Sequence, residues 1–284
     1  MEEDKENWDL IIKPQSSLFS IDFKEIWRYR DLLGIFIKRE IVMFYKQTIL
    51  GPLWFFIQPL LTTIVFVVVF GNIAKLPTDG IPPMLFYLSG IILWTYFADS
   101  LNSTATTFTN NASIFGKVYF PRIIMPLSKV LSNLLKFGIQ FLLLLIIYAY
   151  FVLSGKTEFT VGWSILLLPV LLLIMVNVGL GLGMIVTSLT TKYKDLVFLI
   201  TFGVQLLMYA TPVVYSLSSL KGSVYYPFVA YNPITPAIEA FRRSILGGEI
   251  DYGMIIYGLM VSFVVFIVGL FVFNKAEKTF IDTV

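Results

Sequence analysis

Apolar runs long enough to cross a bilayer recur six times along this chain, a pattern that no water-soluble fold can house. They cover Pro52–Phe70, Met84 through the polar run Asp99–Ser113, Pro126–Leu153, Ile165–Leu189, Leu196–Tyr215 and Met254–Phe273. A helix needs roughly 20 residues at 1.5 Å each to cross a hydrocarbon core of about 30 Å. Only 14% of the residues are charged and 57% are apolar, against roughly 25% charged in soluble domains. The sequence predicts an all-α integral membrane fold with six transmembrane helices over residues 51–284.

Residues 21–50 form an arm before the first span. Phe23, Ile26, Trp27, Leu33, Phe36, Ile37, Ile41 and Phe44 recur at helical spacing, Asp22 with Glu25 resembles a capping box, and six basic residues surround the stripe. Such an amphipathic helix is expected to lie on an anionic membrane face. Residues 1–20 hold five acidic side chains and no long apolar core, so they read as a mobile tail and not as a cleavable signal. Fourteen basic residues fall on the side of the arm, the second and fourth turns and the tail, against five opposite. Both termini are therefore expected in the cytoplasm of a multi-pass protein.

Several segments depart from plain lipid exposure. Pro59 is expected to kink the first span. In the second, Asp99–Ser113 is dense in Asn, Ser and Thr, so either this half faces protein or a wet cavity or the span ends early. Asp99 and Lys136 fall at similar depth and can form an ion pair, or Lys136 can reach for the interface instead. Asn111 to Phe120, with Ile114, Phe115, Val118 and Tyr119 on one face and Pro121 as its stop, reads as a short amphipathic elbow. Between Tyr225 and Leu246 the prolines 227, 233 and 236 prevent one spanning helix, and two short re-entrant or interfacial helices fit. Thr235-Pro236 can cap the second, and Glu239 is spaced to pair with Arg242 or Arg243.

The chemistry available is narrow. With neither cysteine nor histidine, disulfides, thiolate nucleophiles and most transition-metal sites are excluded, and no catalytic or metal site is expected. Gly155-Lys156-Thr157 lacks the earlier glycine of a phosphate loop, since that position is Tyr150. Gly179 and Gly183 are four apart, which suits close helix packing better than dinucleotide binding. The basic arm reads as an orientation signal, with no nucleic-acid partner. Trp54, Phe55 and Phe56, with Tyr87, Trp94, Tyr96 and Phe97, can offer flat faces to sugar rings, or can serve as core and interface residues.

At Lys38-Arg39-Glu40, at Tyr45 to Trp54 and at Gln58-Pro59-Leu60 the chain resembles the permease subunit of type-2 ABC exporters for polysaccharides. Those exporters carry O antigen, capsule or teichoic acid. The likeness continues at Lys117 to Arg122, at Ile124-Met125-Pro126 and at Tyr231-Asn232-Pro233, and covers about residues 25–280. The resemblance implies a homodimer in the bacterial inner membrane, joined to two cytoplasmic ATPase subunits that bind the ATP and magnesium, and moving a lipid-linked glycan outward. It implies that the arm is a gate helix. It also implies that Asn111, Ile114, Phe115, Lys117, Val118, Tyr119 and Phe120 form the coupling helix, and that the Tyr225–Leu246 helices, with Tyr231, Asn232, Pro233, Glu239, Arg242 and Arg243, sit at the extracytoplasmic gate. Lys38, Arg39 and Lys46, ahead of Gly51, can meet a lipid pyrophosphate at the cytoplasmic mouth or act only as topology anchors. Rival readings are a permease for drugs or small lipids, an ATP-independent secondary transporter, and a membrane enzyme acting on lipid phosphates.

Overall fold

The computed structural model describes residues 23–46, 49–115, 120–190, 193 and 195–281, and among them every regular element is helical. Residues 1–20, Asp22, Lys117, Val118, Tyr119, Lys192 and Lys194, which carried parts of the sequence reading, lie outside the described residues.

The arm is two helices where one is expected: α1 (Phe23–Arg28) and α2 (Arg30–Tyr45). They part at Tyr29, which leaves helical geometry with φ −94° and ψ 17°. One turn apart on α2, Phe36 and Glu40 point into the protein, while Trp27, Ile35 and Met43 stay on the outer surface. Gly51 then turns the chain at φ 49°, where a side chain would be strained, and opens a short 3-10 turn into α3 (Trp54–Phe66). Pro59 lies inside α3 and withholds one backbone donor. The hydroxyls of Thr62 and Thr63 donate back to the Gln58 and Pro59 carbonyls at 3.0 and 2.7 Å. This first span ends in a π-helical stretch, Val67–Ile73.

The central strut is α4 (Pro83–Ala105), which packs on α3 and on the later helices α6 (Ile124–Leu153), α7 (Leu168–Thr190) and α10 (Thr235–Leu246). Of its 23 residues 16 are buried, so the polar half of this span is enclosed by protein over most of its circumference. The helix breaks at Thr106 and resumes as α5 (Thr107–Phe115). Side chains of α7 satisfy the backbone groups freed there: the Thr190 hydroxyl donates to the Ala105 carbonyl at 2.9 Å, and the Phe108 N–H donates to the Thr187 hydroxyl at 3.3 Å. A buried backbone group left unpaired in such a place would cost several kcal/mol on the order-of-magnitude scale for lipid.

Among the described residues five helical stretches are long and apolar enough to cross a membrane: Gly51–Ile73, Pro83–Ala105, Ile124–Leu153, Trp163–Thr190 and Tyr252–Glu277, the last within α11 (Tyr252–Ile281). The segment expected as a further span is shorter. It comprises the 12-residue α8 (Leu196–Leu207) and a 3-10 turn that ends at Ala210. Thr211 stands before Pro212, which disfavours helical geometry, and it takes φ −130° and ψ 155°. The two short helices expected next are α9 (Tyr226–Ala230) and α10.

Small residues set how closely α7 is held on two sides. Gly179 and Gly183 face α4, where an added Cβ would meet the Cβ atoms of Ser100 and Thr104 at 3.3 and 2.5 Å. Gly181, on the opposite face, lies against α11, where an added Cβ would come within 2.7 Å of the Val265 carbonyl oxygen and a Cβ on Gly269 would overlap the Gly181 backbone. Leucine at Gly181 or Gly269 is expected to force these helices apart and to lower stability by about 1–3 kcal/mol or more. The check is the thermal midpoint of the detergent-solubilised protein, which leucine at Gly138 should leave unchanged, because an added Cβ there meets nothing within 4 Å.

Candidate functional site

Two polar joints stand at opposite ends of the bundle. On the arm side, Glu40 is 6% exposed and receives two cations: Lys129 of α6 at 2.6 Å and its neighbour Arg39 at 3.2 Å. The Arg39 guanidinium also donates to the Asn111 side-chain oxygen of α5 at 3.4 Å and lies 5.1 Å over the Phe36 ring. Asn111 in turn donates to the Thr107 carbonyl at 2.9 Å, across the point where α5 leaves helical geometry. Rings continue the joint, with Phe36 to Phe120 and Phe115 to Phe120 both 5.7 Å between centroids. Arg122 closes it by donating to the Glu277 carbonyl of α11 at 3.2 Å, beside the Glu277 carboxylate at 3.8 Å. Burial lowers the Arg122 pKa from its ordinary value, and the Glu277 charge opposes that shift.

Among the residues expected at a cytoplasmic mouth, Lys38 and Lys46 are exposed, whereas Arg39 is engaged by Glu40 and Asn111. In the expected elbow, Asn111, Phe115 and Phe120 are buried and Ile114 half-buried, so the described part of this segment turns its apolar side to the rest of the bundle. The aromatic expectation divides. Trp54 is exposed, and Phe55 and Phe56 are half-buried at the start of α3. Tyr87, Trp94, Tyr96 and Phe97 are corrected to core residues: they sit on α4 inside the ring of helices around it, at 0–6% exposure, and offer no face to a passing ligand. Between the two joints the ion pair is present, with the Lys136 ammonium 2.5 Å from the Asp99 carboxylate and 5.9 Å from the centre of the Phe55 ring.

At the far end the guanidinium of Arg242 is 2% exposed and lies 3.7 Å over the Phe86 ring. It donates to the Glu239 carboxylate at 3.1 Å, the Pro212 carbonyl at 2.9 Å and the Phe86 carbonyl at 3.5 Å. Burial pushes its pKa down to about 10, with Glu239 the largest opposing charge, so it stays cationic at neutral pH. Glu239 therefore serves both Arg242 and Arg243, the latter at 3.5 Å. Thr235 does not cap α10; the turn is held instead by Asn232, whose side-chain oxygen accepts from the Ile234 N–H at 3.1 Å and whose amide donates to the Ala210 carbonyl at 3.3 Å. The preceding Tyr231 stacks edge-on with Tyr257 of α11, whose hydroxyl donates to its carbonyl at 2.7 Å. Pro233 lies beside these groups in a largely apolar groove that also includes Phe228 and Leu207.

Sequence reasoning missed three contributors. Lys129 of α6, Glu40 of α2 and Asp79 of the loop before α4 receive no partner from sequence spacing alone. Glu40 carries a signal, because it falls one turn after Phe36 on the apolar face of α2. Asp79, at φ 53°, accepts hydrogen bonds from the Ser216 and Ser218 hydroxyls and so ties the first far-side loop to the segment after α8. Nothing in its local sequence announces that. Among the described residues no group of three or more acidic side chains is placed to hold a metal ion.

The sequence pattern of the ABC-2 type transporter family matches residues 31–246, from the arm through α10. The chain belongs to that family. Among relatives, it is 28% identical over 254 residues to the O-antigen export system permease protein RfbA of Klebsiella pneumoniae, covering 89% of this chain and 94% of that protein. It is 23% identical over 254 residues to the polysialic acid transport protein KpsM of Escherichia coli, covering 86% and 93%. With the capsule polysaccharide export inner-membrane protein CtrC of Neisseria meningitidis the figure is 23% over 251 residues, covering 88% and 92%. In this ABC-2 family member both joints lie inside the matched region except for their α11 partners, Glu277 and Tyr257.

The Glu40–Lys129 pair gives a direct test of the arm-side joint. Glu40→Lys or Lys129→Glu alone leaves a charge buried beside its like, and each is expected to destabilise by about 3 kcal/mol or more. The double exchange is expected to recover at least half of that loss. Thermal unfolding of the three variants in the same detergent measures it.

Proposed function

We propose that this chain is the membrane-spanning permease of an ATP-driven exporter that moves a lipid-linked polysaccharide, O antigen foremost, across the bacterial inner membrane. The observation that carries the reading is coverage: the likeness to RfbA runs through 254 residues and 94% of that protein, and so takes in the arm, the elbow and the far-side helices together. In this reading two copies form the pathway and two cytoplasmic ATPase subunits supply the work, binding ATP and magnesium themselves. Both termini are cytoplasmic, following the bias of fourteen basic residues against five. The segment from Asn111 to Phe120 meets the ATPase.

The geometry suits transmission of force. A push on the elbow reaches the arm directly through Phe120–Phe36 and Asn111–Arg39, and α6 is tied to the arm through Lys129–Glu40. Lys38 and Lys46 remain exposed to attract the lipid pyrophosphate, and Trp54, Phe55 and Phe56 stand at the start of the first span, where sugar rings would enter. A secondary transporter needs an intramembrane group that can exchange an ion. Here Asp99 and Lys136 neutralise one another and Lys129 is held by Glu40, which favours the ATP-driven reading.

Reconstituted with its ATPase and a lipid-linked glycan, the chain is expected to deliver glycan to the far side of liposomes in proportion to ATP hydrolysed, and to deliver none alone. Delivery without an ATPase overturns the proposal. Lys38→Glu with Lys46→Glu is expected to reduce surface glycan at least tenfold while the protein still inserts; undiminished glycan removes the pyrophosphate role from these two residues.

A further inference from the structure

From Leu85 to the C-cap Thr106, α4 and its end are buried except at Thr95, Ala98, Asp99, Asn102, Ser103 and Thr106. Their spacing of three and four places them on one stripe of the helix, and five of the six are polar. The stripe meets a matching line on α6. Asn133 donates to the Ser103 hydroxyl at 3.3 Å, and Lys136 donates to Asp99 at 2.5 Å, one turn further along each helix. The Asp99 side chain nevertheless keeps 36% of its surface open. It lies roughly 9 Å along α4 from the end at Ala105, and Lys136 roughly 18 Å along α6 from its start, at 1.5 Å per residue.

Lipid is a poor neighbour for such a surface. An ionised carboxylate at the centre of a span costs about 2.5–3.5 kcal/mol on insertion scales, and hydroxyls and amides add to it. The stripe also stops at the break in α4, beside the elbow, so it runs from mid-depth to the arm-side end of the bundle. Its groups offer both donors and acceptors, and its one charge pair is internally neutral. That chemistry suits a polyhydroxylated chain that must be held weakly enough to slide.

Resting on the proposed polysaccharide function, we infer that this α4–α6 stripe is a water-accessible wall of the transport pathway that hydrogen-bonds the hydroxyls of the passing glycan, with Thr95 at its inner end and the Asp99–Lys136 pair one turn closer to the arm. Phe55, in contact range of Lys136, supplies the adjoining aromatic edge.

The absence of cysteine makes the test direct. Thr95→Cys, Asn102→Cys and Thr106→Cys are made singly in the permease–ATPase complex, in membrane vesicles, and exposed to a charged methanethiosulfonate reagent. Leu142→Cys and Ile146→Cys, on the exposed apolar face of α6, serve as lipid-facing controls. A thiol reacts through its thiolate, which forms only where water reaches it. The stripe positions are expected to react at least tenfold faster than the controls, and several-fold more slowly when a glycan is arrested in the complex. Rates equal to the controls overturn the wall, and fast rates that an arrested glycan leaves unchanged overturn its contact with substrate. Export by the cysteine-free parent separates the two claims: normal export with an unreactive stripe refutes this inference alone, whereas no export with its ATPase refutes the function beneath it.

Discussion

Among the described residues, charges buried in this bundle stand beside opposite ones, and that constraint decides how its ends are built. An isolated charge moved from water into a medium of low dielectric costs several kcal/mol even after relaxation, by order of magnitude, and a close partner offsets most of it. Glu40 with Lys129, Arg122 with Glu277, Asp99 with Lys136 and Arg242 with Glu239 all obey it. Three of these pairs join elements distant in sequence: α2 to α6, the turn just before α6 to α11, and α4 to α6. The fourth neutralises an arginine whose remaining donors reach the carbonyls of Phe86 and Pro212. Pairing thus does the work of cross-links between helices whose apolar faces would otherwise slide in lipid as readily as against one another.

The two ends differ in what is tied. On the arm side the tied parts, α2, α5 and α6, come from three separate stretches of chain, so displacement of one is carried to the others. At the far end Arg242, Asn232 and Asp79 tie the interrupted backbone after α8 to α4, α10 and the first far-side loop. Between them α7 is fixed by glycine contacts on both faces, which hold α4 and α11 at close range. A rigid centre with a jointed end on each side is the arrangement expected of a conduit worked from outside itself.

Much of this could be read from residue order. Apolar run lengths located the long helices, with α6 expected at Pro126–Leu153 and observed at Ile124–Leu153. The prolines between Tyr225 and Leu246 announced two short helices, and the spacing of Gly179 and Gly183 announced close packing. Partnerships across the chain were less legible. Periodicity places a residue on a face but does not say which helix that face meets. Tyr87, Trp94, Tyr96 and Phe97 looked available to a ligand because nothing local reveals that α4 is surrounded. Asp99 and Lys136 could be matched only because depth along two adjacent spans is countable; Glu40 and Lys129 could not, since the arm has no fixed depth before it is docked. The end of α8 is hidden for a smaller reason: apolar residues continue past Pro212, although the helix has already stopped before it.

The central claim is that arm and elbow move as one body. Spin labels on exposed Lys38 of α2 and Asn110 of α5, and on Lys38 and Leu199 of α8, report two distances by pulsed electron resonance in the ATPase-bound complex, diluted with unlabelled chain so that each distance is read within one copy. Through the ATP cycle the arm-to-α5 distance is expected to stay constant while the arm-to-α8 distance changes. An arm that parts from α5 when ATP binds, with α8 staying at a fixed distance, would contradict the account.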